Sequence, residues 1–229
     1  MDDLASLPEP AEPAGPAALG PARISAIAAE VGGGELAGRI GFLLEVDRLK
    51  SVVRRNLLVD GSRYENSAEH SWHLALLALV LAPYADAEVD VARAAAILLV
   101  HDLVEIDAGD TYIYDDEART VKQEAEERAA ERLFGLLPEG EGRLLAELWH
   151  EYEARETPTA RFAYAMDRLQ PVLLNAGSGG VSWVQNGIRH SQTVAVNGPI
   201  ADAAPPLWDL ARAVLDAAAT ADLLIDDRP

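Results

Sequence analysis

The sequence contains no cysteine in 229 residues. Disulfides and thiolate metal sites are therefore excluded, and any metal has to be held by histidine and carboxylate side chains. Absence of cysteine also fits a reducing compartment, so a cytoplasmic location is the expectation. Basic side chains are scarce: 19 Lys and Arg stand against 38 Asp and Glu, for a net charge of −19. A surface that negative repels a phosphate backbone and anionic lipid, which argues against duplex nucleic acid or a membrane as partner. The same field repels a nucleotide phosphate, so a phosphate site must gather local cations. No apolar run reaches membrane-spanning length. The acidic start, Met1-Asp2-Asp3-Leu4, lacks the basic region of a signal peptide.

Hydrophobic residues make up 49% of the chain, enough to fill the core of one helical domain. Residues 1–22 stand apart. Pro8, Pro10, Pro13, Pro16 and Pro21 forbid a regular helix there and predict an extended, poorly ordered tail. Residues 23–229 read as a single all-α, non-symmetric helical domain. Ile24 to Val31 suits a short helix stopped by Gly32-Gly33-Gly34, and Glu35 to about Val53 a longer amphipathic one. Arg54 to Arg63 reads as a loop, with Asp60-Gly61 as its turn. Asn66-Ser67-Ala68-Glu69 carries a capping-box pattern and opens a helix to about Ala82, ended by Pro83. Asp90 caps the next, Val91 to about Ile106. Helices are expected over Ala118–Leu137, Gly142–Arg155, Pro158 to about Asn175 and Leu207–Leu224. Gly177-Ser178-Gly179-Gly180 reads as a flexible joint.

Chemistry concentrates at Ile97-Leu98-Leu99-Val100-His101-Asp102-Leu103-Val104-Glu105. An apolar run of this kind is a buried helix, yet it ends in a histidine and two acids. Buried polar groups are costly unless paired, hydrogen-bonded or bound to metal. His101 and Asp102 differ by about 100° around a helix, so both can reach one ion at its flank. Two more candidates lie far away in sequence. His70 follows the capping glutamate, and Asp167 takes an inward position beside Met166 and Leu169. Two imidazoles and two carboxylates suit a divalent Mn, Co, Fe or Zn ion. Spacing alone leaves open a metal site, a satisfied core histidine and a buried salt bridge. Arg54, Arg55 and Arg63 form a cationic cluster, open to a phosphate contact or to ordinary surface pairing.

The order His70, His101-Asp102, Asp167 resembles the HD superfamily of metal-dependent phosphohydrolases. Arg48-Leu49-Lys50, Glu65-Asn66-Ser67-Ala68-Glu69-His70-Ser71, His101-Asp102-Leu103-Val104-Glu105 and Gly109-Asp110 look most like the branch of bacterial 5′-deoxynucleotidases and related HD-domain-containing proteins. The resemblance covers about residues 36–180. It implies metal ligands at His70, His101, Asp102 and Asp167, catalytic roles for Glu105 and Asp110, and a phosphate-contacting Arg54. Arg55 stands where that branch has a tryptophan against the sugar, so it joins Arg54 as a substrate-binding candidate, and selection for a deoxyribose is not implied. The expected activity is phosphate release from a nucleoside 5′-monophosphate or similar small phosphomonoester. The alternatives are a catalytically silent HD-type binding module and a helical protein with a core salt-bridge network. His73 fits a place behind the ligands, and His150 and His190 the surface. The apolar last helix and Trp183, together with the habits of related proteins, predict a homodimer.

Overall fold

The computed structural model describes residues 19–109 and 116–228, without the side chains of 116–122. Most of the proline-rich tail, Asp110 with Thr111, and the Val121 side chain lie outside the described residues. The tail ends earlier than expected, because Pro21 is already the first residue of a helix. Its fixed φ and missing N–H are tolerated in a first turn.

Ten helices are described: α1 (Pro21–Val46), α2 (Ser67–Leu81), α3 (Val91–Val100), α4 (Glu105–Ala108), α5 (Asp116–Phe134), α6 (Glu139–Ala154), α7 (Pro158–Gly177), α8 (Val181–Gln185), α9 (His190–Asn197) and α10 (Pro205–Thr220). The glycine break foreseen near residue 33 is real. Gly33 has φ 76° and ψ −175° and divides α1 into two helical runs, a conformation that a side chain would resist. The second run stops at Val46 and continues as a 3-10 turn, Asp47–Ser51, short of the predicted Val53.

The expectation of a loop at Arg54 needs correction. Val53–Leu57 (β1) pairs antiparallel with Tyr64–Asn66 (β2) in a small hairpin. Burial alternates along β1, with Arg54 and Asn56 turned inward and Val53 and Arg55 outward, the period-two pattern of a strand on a core. The sequence hid this because two arginines and an asparagine are not residues that favour strands.

Two caps formed as read. Asn66 accepts from the Glu69 amide while the Glu69 carboxylate accepts from the Asn66 amide, closing the capping box at the start of α2. Asp90 accepts from the Arg93 amide at the start of α3. Helix α3 is shorter than predicted. It ends at Val100, a tight turn carries His101 to Val104, and the one-turn α4 begins at Glu105.

Helix α7 is the axis of the domain. It packs against α2, α3, α6 and α10, and Phe162, Met166 and Leu169 are fully buried on it. The joint after it is a hydrogen-bonded turn, with the Gly180 amide donating to Asn175 O at 2.7 Å and the Ser178 amide to Leu174 O at 2.8 Å. Gly180 has φ 68°, and a Cβ there would lie 2.7 Å from Leu223 Cβ, so this turn needs glycine. Trp183 is buried, and α10 sends Leu207, Ala211, Leu215 and Ala218 into the core. The apolar residues that suggested a docking face are therefore spent inside the domain. His190 is also buried, not on the surface, and lies 2.7 Å from Asp216.

Candidate metal centre

Three elements deliver the four predicted ligands to one place. The first turn of α2 brings His70, the end of α3 brings His101 and Asp102, and the middle of α7 brings Asp167; all four are buried. One donor atom each from His70, His101 and Asp102 lies within 4.8 Å of the others. Asp167 stands beside this trio and not within that spacing, its Oδ1 3.0 Å from His70 Nε2. The remaining Asp167 oxygen accepts from the Tyr152 hydroxyl at 2.7 Å and from Arg168.

The donor chemistry fits a cation. His101 Nδ1 lies 2.8 Å from Leu98 O, and a carbonyl only accepts, so Nδ1 carries the hydrogen. Burial pushes the His101 imidazole down to about 4, leaving it neutral with its lone pair on Nε2. That nitrogen is buried without a hydrogen-bond partner and faces Asp102 Oδ1 at 3.0 Å. Two acceptors meeting at that distance repel unless a positive charge sits between or beside them. A backbone carbonyl behind the far ring nitrogen is also how metal-binding histidines are oriented.

His70 behaves differently. Burial and the Arg54 charge oppose its protonation, but hydrogen bonding to Asp167 and Glu65 and the charge of Asp102 outweigh them and raise it to about 9. Without an ion, His70 holds a proton among Asp167, Glu65 and Asp102, a charge that a bound cation would displace and take over. Burial likewise opposes ionisation of Asp167, yet Arg168 and His70 hold it well below the usual carboxylate range. Burial raises Tyr152 well above its ordinary value, so its hydroxyl stays a donor.

Arg54 reaches in from β1. Its Nη1 donates to Asp102 Oδ2 at 3.0 Å and lies 4.0 Å from Glu105 Oε2. One guanidinium nitrogen thus touches a predicted ligand and approaches the predicted base. Glu105 is buried and accepts from the Ser67 hydroxyl at 2.7 Å. Arg55, from the other face of β1, lines the same cleft. Asp110 lies outside the described residues.

Sequence reasoning gave no role to several groups that complete the site. Glu65 is 2% exposed, with Oε2 3.3 Å from His70 Nδ1 and Oε1 accepting from Gln170 Nε2 at 2.6 Å. Gln170 also lies 3.3 Å from His73 Nδ1, which places His73 behind the ligands as expected. Ser67, Tyr152 and Arg168 act on Glu105 or Asp167. The one visible signal was position, since Arg168 adjoins Asp167 and Glu65 and Ser67 flank the capping asparagine.

The cluster opens into a cleft of about 750 Å³ lined by Arg54, Arg55, Glu105, Tyr164, Asn175 and Trp183 among others. That volume suits a ligand of nucleotide size.

Residues 46–208 match the HD domain family model. The chain belongs to the HD domain family. Among relatives of this HD protein, the 5′-deoxynucleotidase HDDC2 of Bos taurus is 33% identical over 133 residues, 58% of this chain and 63% of that protein. The Homo sapiens protein of the same name is 32% identical, over 58% of this chain and 64% of its own length. The HD chain therefore spans less than two thirds of these relatives. A crystal structure of a predicted metal-dependent phosphohydrolase from Magnetospirillum magnetotacticum shares 46% identity with a TM-score of 0.80, covering 83% of this chain and 96% of its own. A conserved hypothetical protein from Pyrococcus furiosus, at 23% identity and a TM-score of 0.52, covers 76% of this chain and 98% of its own and shares the fold. Among the described residues, no helix is long and apolar enough to cross a membrane.

Proposed function

We propose that this HD protein is a metal-dependent phosphohydrolase that releases phosphate from a nucleoside 5′-monophosphate or similar small phosphomonoester. The observation that carries the reading is the bare His101 Nε2 facing the Asp102 carboxylate in a buried pocket. His70, His101, Asp102 and Asp167 would hold one divalent ion of the Mn, Co, Fe or Zn class. When bound, such an ion polarises a phosphoryl oxygen and acidifies water.

The remaining roles fall to the chain. Glu105, fixed by Ser67, accepts the proton of the attacking water. Arg54 neutralises the phosphoryl oxygens as charge builds on them, and Arg55 adds cationic charge at the rim. The water oxygen forms a bond to phosphorus while the bond to the sugar oxygen breaks. Asp110 is the candidate to assist proton transfer to that leaving oxygen. The names of the HDDC2 proteins and of the Magnetospirillum structure support the activity class.

The test is phosphate release from a panel of monoesters by protein stripped with chelator, then supplied with each metal singly. Release that depends on metal supports the reading. No release from any monoester with any of the four metals would replace it with a binding module.

The protein is read as cytoplasmic, supported by its lack of cysteine, and as a homodimer. Trp72, Leu76, Leu79 and Val80 support the dimer: they are exposed at helical spacing along one side of α2. That strip carries no charge in a chain of net charge −19.

A further inference from the structure

Two imidazoles face the candidate metal centre, and they are backed differently. Behind His101, Nδ1 meets the neutral Leu98 carbonyl. Behind His70, Nδ1 lies 3.3 Å from Oε2 of Glu65, a carboxylate only 2% exposed. Among the described residues, neither of these two atoms has a hydrogen-bond partner elsewhere. On its other side the His70 ring turns Nε2 toward Asp167 Oδ1 at 3.0 Å and Asp102 Oδ2 at 3.9 Å.

Glu65 is held from both ends. It sits in β2, paired with β1, one residue before the Asn66 cap, so its backbone runs straight into the helix that carries His70. Its Oε1 accepts from Gln170 Nε2 at 2.6 Å, and Gln170 is buried on α7, three residues beyond Asp167. Arg54 is the competing explanation for a buried acid here. Its Nε lies 3.8 Å from Oε2, beyond hydrogen-bond distance, so His70 is the nearer partner of that oxygen.

An imidazole that gives Nε2 to a cation keeps its one hydrogen on Nδ1, and that hydrogen needs an acceptor. Glu65 Oε2 is within reach of it. A carboxylate in that place fixes the ring and its tautomer and makes the ligating nitrogen more basic.

We propose that Glu65 is a positioning residue for metal binding: its carboxylate holds the Nδ1 hydrogen of His70 and so presents Nε2 to the ion. The proposal rests on the metal centre of the reading above. Glu65→Gln keeps the volume but alters the chemistry. Gln170 Nε2 still requires an oxygen at position 65, which turns the new amide nitrogen toward His70 Nδ1. That nitrogen donates, so the ring is driven to carry its hydrogen on Nε2, where it blocks the metal.

The experiment titrates zinc into metal-stripped wild type, Glu65→Gln and Glu65→Asp in competition with a chelating dye. Glu65→Gln should bind zinc about ten- to hundredfold more weakly. Glu65→Asp keeps the charge on a shorter arm and should recover part of the loss. Nitrogen NMR of zinc-loaded wild type with labelled histidine needs no variant to fold: His70 should coordinate through Nε2 and keep a hydrogen on Nδ1. Zinc affinity of Glu65→Gln within about threefold of wild type overturns the proposal, as does coordination through Nδ1 or a loss in Glu65→Asp as large as in Glu65→Gln. A raised KM with unchanged zinc affinity would assign Glu65 to Arg54 instead and also overturn it. If wild type binds zinc but releases no phosphate, the phosphomonoesterase reading fails, while the affinities and the NMR still decide the role of Glu65.

Discussion

Ser67 holds Glu105. The hydroxyl at the first residue of α2 donates to Oε2 of the first residue of α4 at 2.7 Å, and both side chains are buried. Glu105 thereby takes a defined position in the cleft wall, tied to the helix that carries His70. The bond fixes a candidate base relative to a candidate ligand, which is what a positioned proton acceptor requires.

Glu105→Gln keeps the volume and can still accept from Ser67, but it cannot take a proton at neutral pH. It should retain metal and fold while turnover falls by roughly a hundredfold or more, the scale of one general base. Ser67→Ala should lower kcat by roughly tenfold, the scale of one hydrogen bond to a charged group, with metal content unchanged and Ser67→Thr recovering part of the loss. Steady-state kinetics beside metal analysis checks both. Full activity in Glu105→Gln would remove Glu105 from the mechanism.

Asp102→Asn removes a negative ligand from the cluster and should weaken metal binding. Excess metal should restore part of its activity, whereas it should restore none in Glu105→Gln. Metal titration of the stripped proteins, followed by calorimetry, separates the two.

Arg54→Ala should raise KM, and should lower kcat as well if the guanidinium binds the phosphoryl oxygens more tightly as their charge grows. It also removes one partner of Asp102, whose side chain is 11% exposed. Loss of one member of a pair so buried should cost the metal-free protein on the order of 3 kcal/mol. Urea unfolding measures this independently of activity.

Glu69 is held below the usual carboxylate range, first by its hydrogen bond to Arg63; burial opposes this and the Asn66 amide adds to it. A depressed carboxyl contributes stability that is present above its unfolded value, near 4.5, and is lost as pH falls through the lower folded value. Glu69→Gln keeps a capping acceptor but loses the charge. It should be less stable than wild type by about 1 kcal/mol at neutral pH, with the gap closing in acid. A gap that persists unchanged at about pH 3 would assign the effect to something other than ionisation.

Trp72→Asp puts a charge into the exposed apolar strip of α2. Light scattering at micromolar concentration should show a dimer for wild type and a monomer for the variant. A wild-type monomer removes the dimer reading.

Part of this protein is local and was legible in its sequence. The capping box at Asn66 and the Asp90 cap need only residues within one turn. The inward stripe of α7 needs only helical periodicity, which also placed Asp167 on the buried side. The polar end of the α3 run marked His101 and Asp102 because no apolar core tolerates them without a partner. The missing cysteines had already limited any metal to these residue types.

Tertiary packing decided the rest. Arg54 lies on a strand because β2 pairs with it, a condition that no propensity of Arg-Arg-Asn expresses. Trp183 and the apolar side of α10 turned inward because α7 offers them a core, so the expected dimer face had to be sought on α2. Asn56 and Asn175 are 119 residues apart, and their contact exists only because β1 lies against α7. Caps and periodicities are set by neighbours along the chain. Pairing between distant polar groups is set by how helices and strands stack, and that is where Ser67, Glu65 and the Asn pair acquired their places.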